Sequence, residues 1–162
     1  MNLEIERKFL VKNDSWKMKI SDSEKIVQGY IAAEKGTVRV RTIGNKAFLT
    51  LKGRGGGDGI SRTEFEYPIP FDDAEKILEE LCFKPFIEKI RYGVIEKDLH
   101  EWVVDVFSGA NSGLVMAEIE LESEDEIFVL PGWAGEEVSS RPEYRNSNLS
   151  VNPYSLWKDY MK

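Results

Sequence analysis

The chain has one cysteine, Cys82, and one histidine, His100. A single thiol builds neither a disulfide framework nor a thiolate zinc site, and a single imidazole excludes any His-rich metal centre. Cys82 then reads as a core residue, and His100, beside Glu101, as a hairpin residue without a catalytic part. Basic charge is short as well: 22 Lys and Arg stand against 29 Asp and Glu, a net −7 over 162 residues. Such a chain makes a poor general binder of duplex nucleic acid, whose phosphates ask for a basic face. A polyanion would have to be held by a local basic cluster or through metal ions.

Long apolar runs are missing too. None approaches the ~20 residues needed to span a bilayer, and Met1-Asn2-Leu3-Glu4-Ile5-Glu6 lacks the basic and apolar regions of a signal peptide. These absences point to a cytoplasmic protein with no membrane and no nucleic-acid partner. There is no internal repeat and no low-complexity linker, so residues 1–162 read as one domain. The one biased stretch, Gly53 to Gly59, lies between two strand-like runs. A phosphate-cradling loop would end in Gly-Lys-Ser/Thr and enter a helix, whereas Ile60-Ser61-Arg62 follows here. It reads as a flexible hairpin loop.

What the chain has is alternation. Hydrophobic residues make up 41% and aromatics 11%, enough for a core. Residues 3–11 put Leu3, Ile5, Phe9 and Val11 opposite Glu4, Glu6 and Lys8. The same period of two runs through 37–42, 47–52, 62–69, 88–95, and the stretches around Val104 and Ile119. That gives at least seven strands. Helical signals are fewer: Asp72-x-x-Glu75 as a capping box before Ala74, Ile77, Leu78, Leu81 and Cys82; a short helix from Ser21-x-x-Glu24 to before Gly29; a helix-like stretch after Pro131-Gly132-Trp133 through Glu137; and a tail helix from Tyr154 to Met161 with Leu156, Trp157 and Tyr160 as its apolar side. The class is therefore α+β and mainly antiparallel.

The charged faces carry more. Charges come as like-signed pairs two residues apart: Glu4/Glu6, Arg39/Arg41, Glu64/Glu66, Lys89/Arg91 and Glu118/Glu120. Residues i and i+2 share a face about 6.6 Å apart, and an ordinary wet face does not collect like charges on five strands. Closing the sheet into a barrel turns these faces inward and leaves the apolar faces for flanking helices. The interior then holds seven acids (those of the three Glu pairs plus Asp105) against seven bases (those of the two basic pairs plus Lys8, Lys52 and Arg62). Buried charges in that number must pair, stay hydrated or hold ions. Arg and Lys suit phosphate oxygens, and carboxylates without His or Cys suit a hard divalent cation. Together they describe a site for a metal-complexed polyphosphate.

The ordered series resembles the CYTH superfamily, the triphosphate tunnel metalloenzymes. Glu4-Ile-Glu6-Arg-Lys8 matches its Glu-x-Glu-x-Lys signature. Arg39-x-Arg41, Leu-Thr-Leu-Lys52-Gly, Arg62-x-Glu64-x-Glu66, Lys89-x-Arg91, Val-Asp105-Val-Phe and Ala-Glu118-Ile-Glu120-Leu look like the successive strand motifs. The resemblance covers about residues 1–150. It implies an eight-stranded antiparallel barrel with helices packed outside, and the length resembles the short bacterial members. By this resemblance Glu4, Glu6, Asp105, Glu118 and Glu120 hold Mg²⁺ or Mn²⁺. Lys8, Arg39, Arg41, Lys52, Arg62, Lys89 and Arg91 grip the triphosphate, while Glu64 and Glu66 orient the basic side chains. Tyr30 matches a tyrosine acting as proton acceptor, helped by a cation such as Lys8. Arg145, in a stretch similar to the family's Tyr-x-Asn-x-x-Leu segment, would close one tunnel mouth on a terminal phosphate. The expected activity is hydrolysis of linear triphosphates, inorganic tripolyphosphate first and nucleoside triphosphates more weakly. A class IV adenylate cyclase, a thiamine triphosphatase and a non-catalytic polyphosphate-binding barrel are the alternatives. A homodimer is compatible with an acidic barrel carrying an exposed helix.

Overall fold

The computed structural model describes residues 2–55 and 59–157. Among the described residues nine strands form: β1 (Leu3–Val11), β2 (Ile20–Ile31), β3 (Thr37–Ile43), β4 (Lys46–Lys52), β5 (Ser61–Ile69), β6 (Ile87–Ile95), β7 (Glu101–Ser108), β8 (Val115–Glu120) and β9 (Ala134–Glu137). Eight close into a ring in the order β1-β5-β4-β3-β2-β6-β7-β8, with every pairing antiparallel. Closure runs through β1. Leu3–Ile5 pair with β5, Glu6–Leu10 pair with β8, and Phe9 and Val11 pair with β9. The barrel expected from the charged faces, with the eight strands that the CYTH resemblance implies, is thus present. Its charged faces turn inward, as the period of two requires once the ring closes.

Apolar cover is distributed over the outside and one end. Phe9, Trp102, Val104, Ala117 and Ile119 project outward beneath Trp16 and Trp133. Trp102 meets Trp133 edge-on with 5.3 Å between ring centroids. The Trp133 indole N–H donates to Glu96 Oε1 at 3.1 Å, so this polar handle is satisfied within the cover. On the opposite wall α1 (Phe71–Leu81) lays Ala74 and Leu78 against Val40 and Ala47. Burying one such side chain contributes about 1.5–3 kcal/mol, against ~0–1 kcal/mol for an exposed ion pair. The covers, not surface charge, hold the walls. Inside, the inward faces of β2, β6, β7 and β8 turn apolar beyond their charged residues at Tyr30, Ile87, Phe107 and Met116. The C-terminal segment packs Tyr144, Leu149 and Trp157 there.

Four local expectations come out differently. Residues 21–28 are not helical but lie in the 12-residue β2, whose pairing with both β3 and β6 outweighs the local Ser21-x-x-Glu24 signal. Residues 134–137 form β9, because β1 offers a free edge there. The helix α1 forms, but it starts at Phe71 with Pro70 as its N-cap and no side-chain capping bond, so the Asp72/Glu75 box is not used. Tyr154–Leu156 is one 3-10 turn; Tyr160 and Met161 lie outside the described residues. Cys82 is buried under α1, as expected. His100 lies in the turn between β6 and β7, held between Asp98 and Glu126.

Candidate active site

The barrel holds a cavity of about 170 Å³, open to solvent. Of the sequence-expected side chains, all but Asp105 line it. Two sides of unlike charge face each other. On β3, Arg39 donates to Thr50 at 3.2 Å and lies 3.5 Å from Glu66, while the Arg41 Nε donates to Gln28 Oε1 at 2.7 Å. Burial draws Arg41 down to about 9, and Arg39 and Arg91 add repulsion. On β6, Lys89 is 2% exposed and donates to Asp105 Oδ2 at 2.7 Å. Burial pulls its ammonium down to about 7, with Asp105 pulling the other way. Arg91 forms a two-bond fork on Asp105, at 2.8 and 2.9 Å. Burial works against its charge, but Asp105 outweighs burial and holds it firmly protonated.

The acidic side is built by β1 and β8. Register places Lys8 opposite Glu118 and Glu6 opposite Glu120. Burial pushes the Glu6 carboxyl up to about 8, with Glu118 and Glu4 adding repulsion. Glu120 is raised by burial and then by Glu4 and Glu6. Burial also raises Glu4, helped by a hydrogen bond with Glu64, although Lys52 lies 2.9 Å from Glu4 and 3.2 Å from Glu64. Glu118 goes the other way: burial opposes its charge, but Lys8 and Arg91 hold it well below the usual carboxylate range. Among the described residues, the side chains of Arg62 and Arg145 have no hydrogen bond or ion pair, which leaves both guanidiniums available to an anion at the cavity wall.

A CYTH domain model matches residues 2–153. The chain belongs to the CYTH family. An inorganic triphosphatase of Acetivibrio thermocellus is 48% identical over 160 residues, covering 98% of this chain and 100% of the relative. One of Nitrosomonas europaea is 34% identical over 157 residues, covering 92% and 97%. The solved structure of an inorganic triphosphatase superposes with a TM-score of 0.66 at 32% identity, covering 91% of this chain and 94% of that one. Among the described residues no helix is long and apolar enough to cross a membrane.

The donor chemistry of this CYTH site fits a divalent metal at Glu4, Glu6, Glu118 and Glu120. Carboxylates buried close enough to raise one another ask for a hard cation among them. Among the described residues no three of His, Cys, Asp or Glu are gathered tightly enough to hold an ion as they stand. Asp105 is differently placed. It is absent from the cavity wall, is 1% exposed, and spends both oxygens on Lys89 and Arg91. Two cations outweigh the burial that opposes its charge, and its carboxyl is held below the usual range.

Two polar residues escape the charge pattern. Gln28, fully buried on β2, takes the Arg41 Nε on its oxygen and donates its amide to the Tyr30 hydroxyl at 3.1 Å. Asn146, which opens α2 (Asn146–Leu149), accepts from both Gln28 and Lys89. Gln28 carries a usable signal, since it shares Tyr30's parity and so its inward face.

Proposed function

We propose that the chain is a metal-dependent hydrolase of linear triphosphates, with inorganic tripolyphosphate as substrate and Mg²⁺ or Mn²⁺ as cofactor, working in the cytoplasm. One observation carries the reading: a closed barrel whose interior divides into a cationic side on β3 and β6 and a carboxylate side on β1 and β8. Such an interior matches a polyanion on one side and its counter-cation on the other. The inorganic triphosphatase relatives support the choice of substrate.

Arg39, Arg41, Lys52, Lys89 and Arg91 bind the phosphate oxygens, with Arg62 and Arg145 taking an end of the chain. Asp105 aims Lys89 and Arg91, and Glu64 and Glu66 hold Lys52 and Arg39. A metal held by Glu4, Glu6, Glu118 and Glu120 supplies charge neutralisation at the phosphate oxygens. Water forms a bond to a terminal phosphorus, the bridging P–O bond breaks, and pyrophosphate leaves. Tyr30 and Lys8 face the cavity and are assigned to that water and its proton.

The test is phosphate release from tripolyphosphate, ATP and thiamine triphosphate in parallel, with Mg²⁺, Mn²⁺ or EDTA. Fast release from tripolyphosphate that EDTA abolishes is expected. Cyclic AMP with pyrophosphate from ATP would make the protein a cyclase, and tight binding without turnover would make it a binding barrel.

A further inference from the structure

The Asn146 amide has a fixed orientation. Its Oδ1 accepts from Lys89 Nζ at 3.0 Å and from Gln28 Nε2 at 3.1 Å. Exchanging the amide O and N would set two donors against an NH₂ group, so the acceptor end must face Lys89 and Gln28. Gln28 is itself fixed. Its oxygen is committed to Arg41 Nε at 2.7 Å, so its NH₂ must serve Tyr30 and Asn146. The chain Arg41–Gln28–Asn146–Lys89 therefore has one consistent direction of donation.

That direction leaves the Asn146 Nδ2 with no protein partner among the described residues. It is also not among the buried unpaired nitrogens, so it is open, and Asn146 lines the cavity. Lys89 is committed only in part. Of its three N–H bonds, one goes to Asp105 and one to Asn146, leaving one for the cavity it lines. Lys89 and Asn146 thus present neighbouring donors, one cationic and one neutral, joined by the 3.0 Å bond from Lys89 Nζ to Asn146 Oδ1.

We propose that Asn146 is a further substrate-binding residue, whose Nδ2 donates to a phosphate oxygen of the bound triphosphate next to Lys89, and that Lys89 and Gln28 hold it in that orientation. The proposal rests on the triphosphate reading and deepens it, adding a neutral donor to a set otherwise read as charges. A neutral donor suits an oxygen shared with a buried cation, because it adds a hydrogen bond without further charge repulsion among Arg41, Lys89 and Arg91. It also gives the C-terminal segment a part in binding. Asn146 is delivered by a segment anchored through Tyr144, Leu149 and Trp157.

The test uses the full chain in EDTA, where turnover is removed and binding can be read alone. Tripolyphosphate affinity is measured by calorimetry for the wild type and for Asn146→Leu, which has the same shape and no donor. The Asn146 side-chain amide is followed by ¹H–¹⁵N NMR, assigned in the wild type from triple-resonance spectra. The expected result is an affinity at least about tenfold weaker for Asn146→Leu and a side-chain amide resonance displaced by tripolyphosphate in the wild type. An unmoved resonance overturns the proposal whatever the affinity, since a purely structural Asn146 would weaken binding without being touched. That resonance also decides the matter if the variant fails to fold. If the wild type binds tripolyphosphate with the shift but releases no phosphate with metal, the hydrolase reading falls and Asn146 stands. If the wild type binds tripolyphosphate neither in EDTA nor with Mg²⁺, both fall.

Discussion

Asp105 and Glu6 are both buried acids, yet they do opposite work. Asp105 has two cations on it, so removing its charge leaves Lys89 and Arg91 uncompensated. Breaking a buried pair in this way costs about 3–5 kcal/mol. Asp105→Asn should lower the melting temperature equally with EDTA and with Mg²⁺, while the metal concentration for half-maximal activity stays put. A selective loss of metal affinity would make Asp105 a ligand after all. Glu6 has no such partner among the described residues. Its carboxyl titrates near 8 in the fold against 4.5 when free, so the folded state holds the proton more tightly. The stability it contributes is full below 4.5 and is lost as pH rises toward 8. The metal-free protein should therefore melt at falling temperatures from about pH 5 to 8, and Glu6→Gln should flatten that slope in scanning fluorimetry. An unchanged slope would remove Glu6 as its source. Much of this site was legible in sequence because charge repeats are visible at a spacing of two. Asp105's bonds to Lys89 and Arg91 were not, because they depend on which strand lies beside β7, and Gln28 and Asn146 were missed because neutral amides leave no charge pattern.

At the scale of elements, the chain is most exacting where α1 meets β2. Gly29, between the inward Gln28 and Tyr30, points outward under the end of the helix, where a Cβ would meet Cys82 Cβ at 2.8 Å and Leu78 Cδ2 at 2.9 Å. Gly29→Ala should cost about 1–3 kcal/mol by overpacking, read as a lower urea midpoint. Tolerance of alanine would mean that α1 can slide outward at no cost. A second joint ties the β6–β7 turn to the 121–131 segment: the His100 ring contacts Asp98 at 2.8 Å and Glu126 at 2.6 Å. Glu126 and then Asp98 raise the imidazole above its ordinary value. A raised histidine contributes stability that is full below about 6.5 and is lost as pH climbs through the folded value. His100→Asn should thus lower the melting temperature at pH 5.5 and make little difference at pH 9; an equal drop at both would assign the effect to shape. Strands with apolar–charged alternation were legible beforehand. The first half of β2, Ile20–Lys25, is exposed on both faces and the four residues of β9 are too few, so both owe their form to neighbours rather than to their own pattern.

Across the whole molecule the governing fact is that one strand completes the ring. The pairings of β1 join residues 3–5 to 61–63, residues 6–10 to 116–120, and residues 9–11 to 134–137. Contacts so distant along the chain make loop closure the slow step. Refolding from urea, followed by tryptophan fluorescence, should therefore run in milliseconds to seconds, the range of β-rich domains; microsecond folding would contradict closure by β1.

The order of synthesis gives that closure a further meaning. β1 leaves the ribosome before any of its partner strands and meets the last of them only after residue 137 has been made. Until then it is an open strand edge, of the kind on which chains stick to one another. Glu4, Glu6 and Lys8 stand on alternate positions of that edge, and charges so placed discourage pairing with a stray strand. The side chains that later line the cavity act first as guards, keeping the newborn strand unattached until the rest of the barrel arrives.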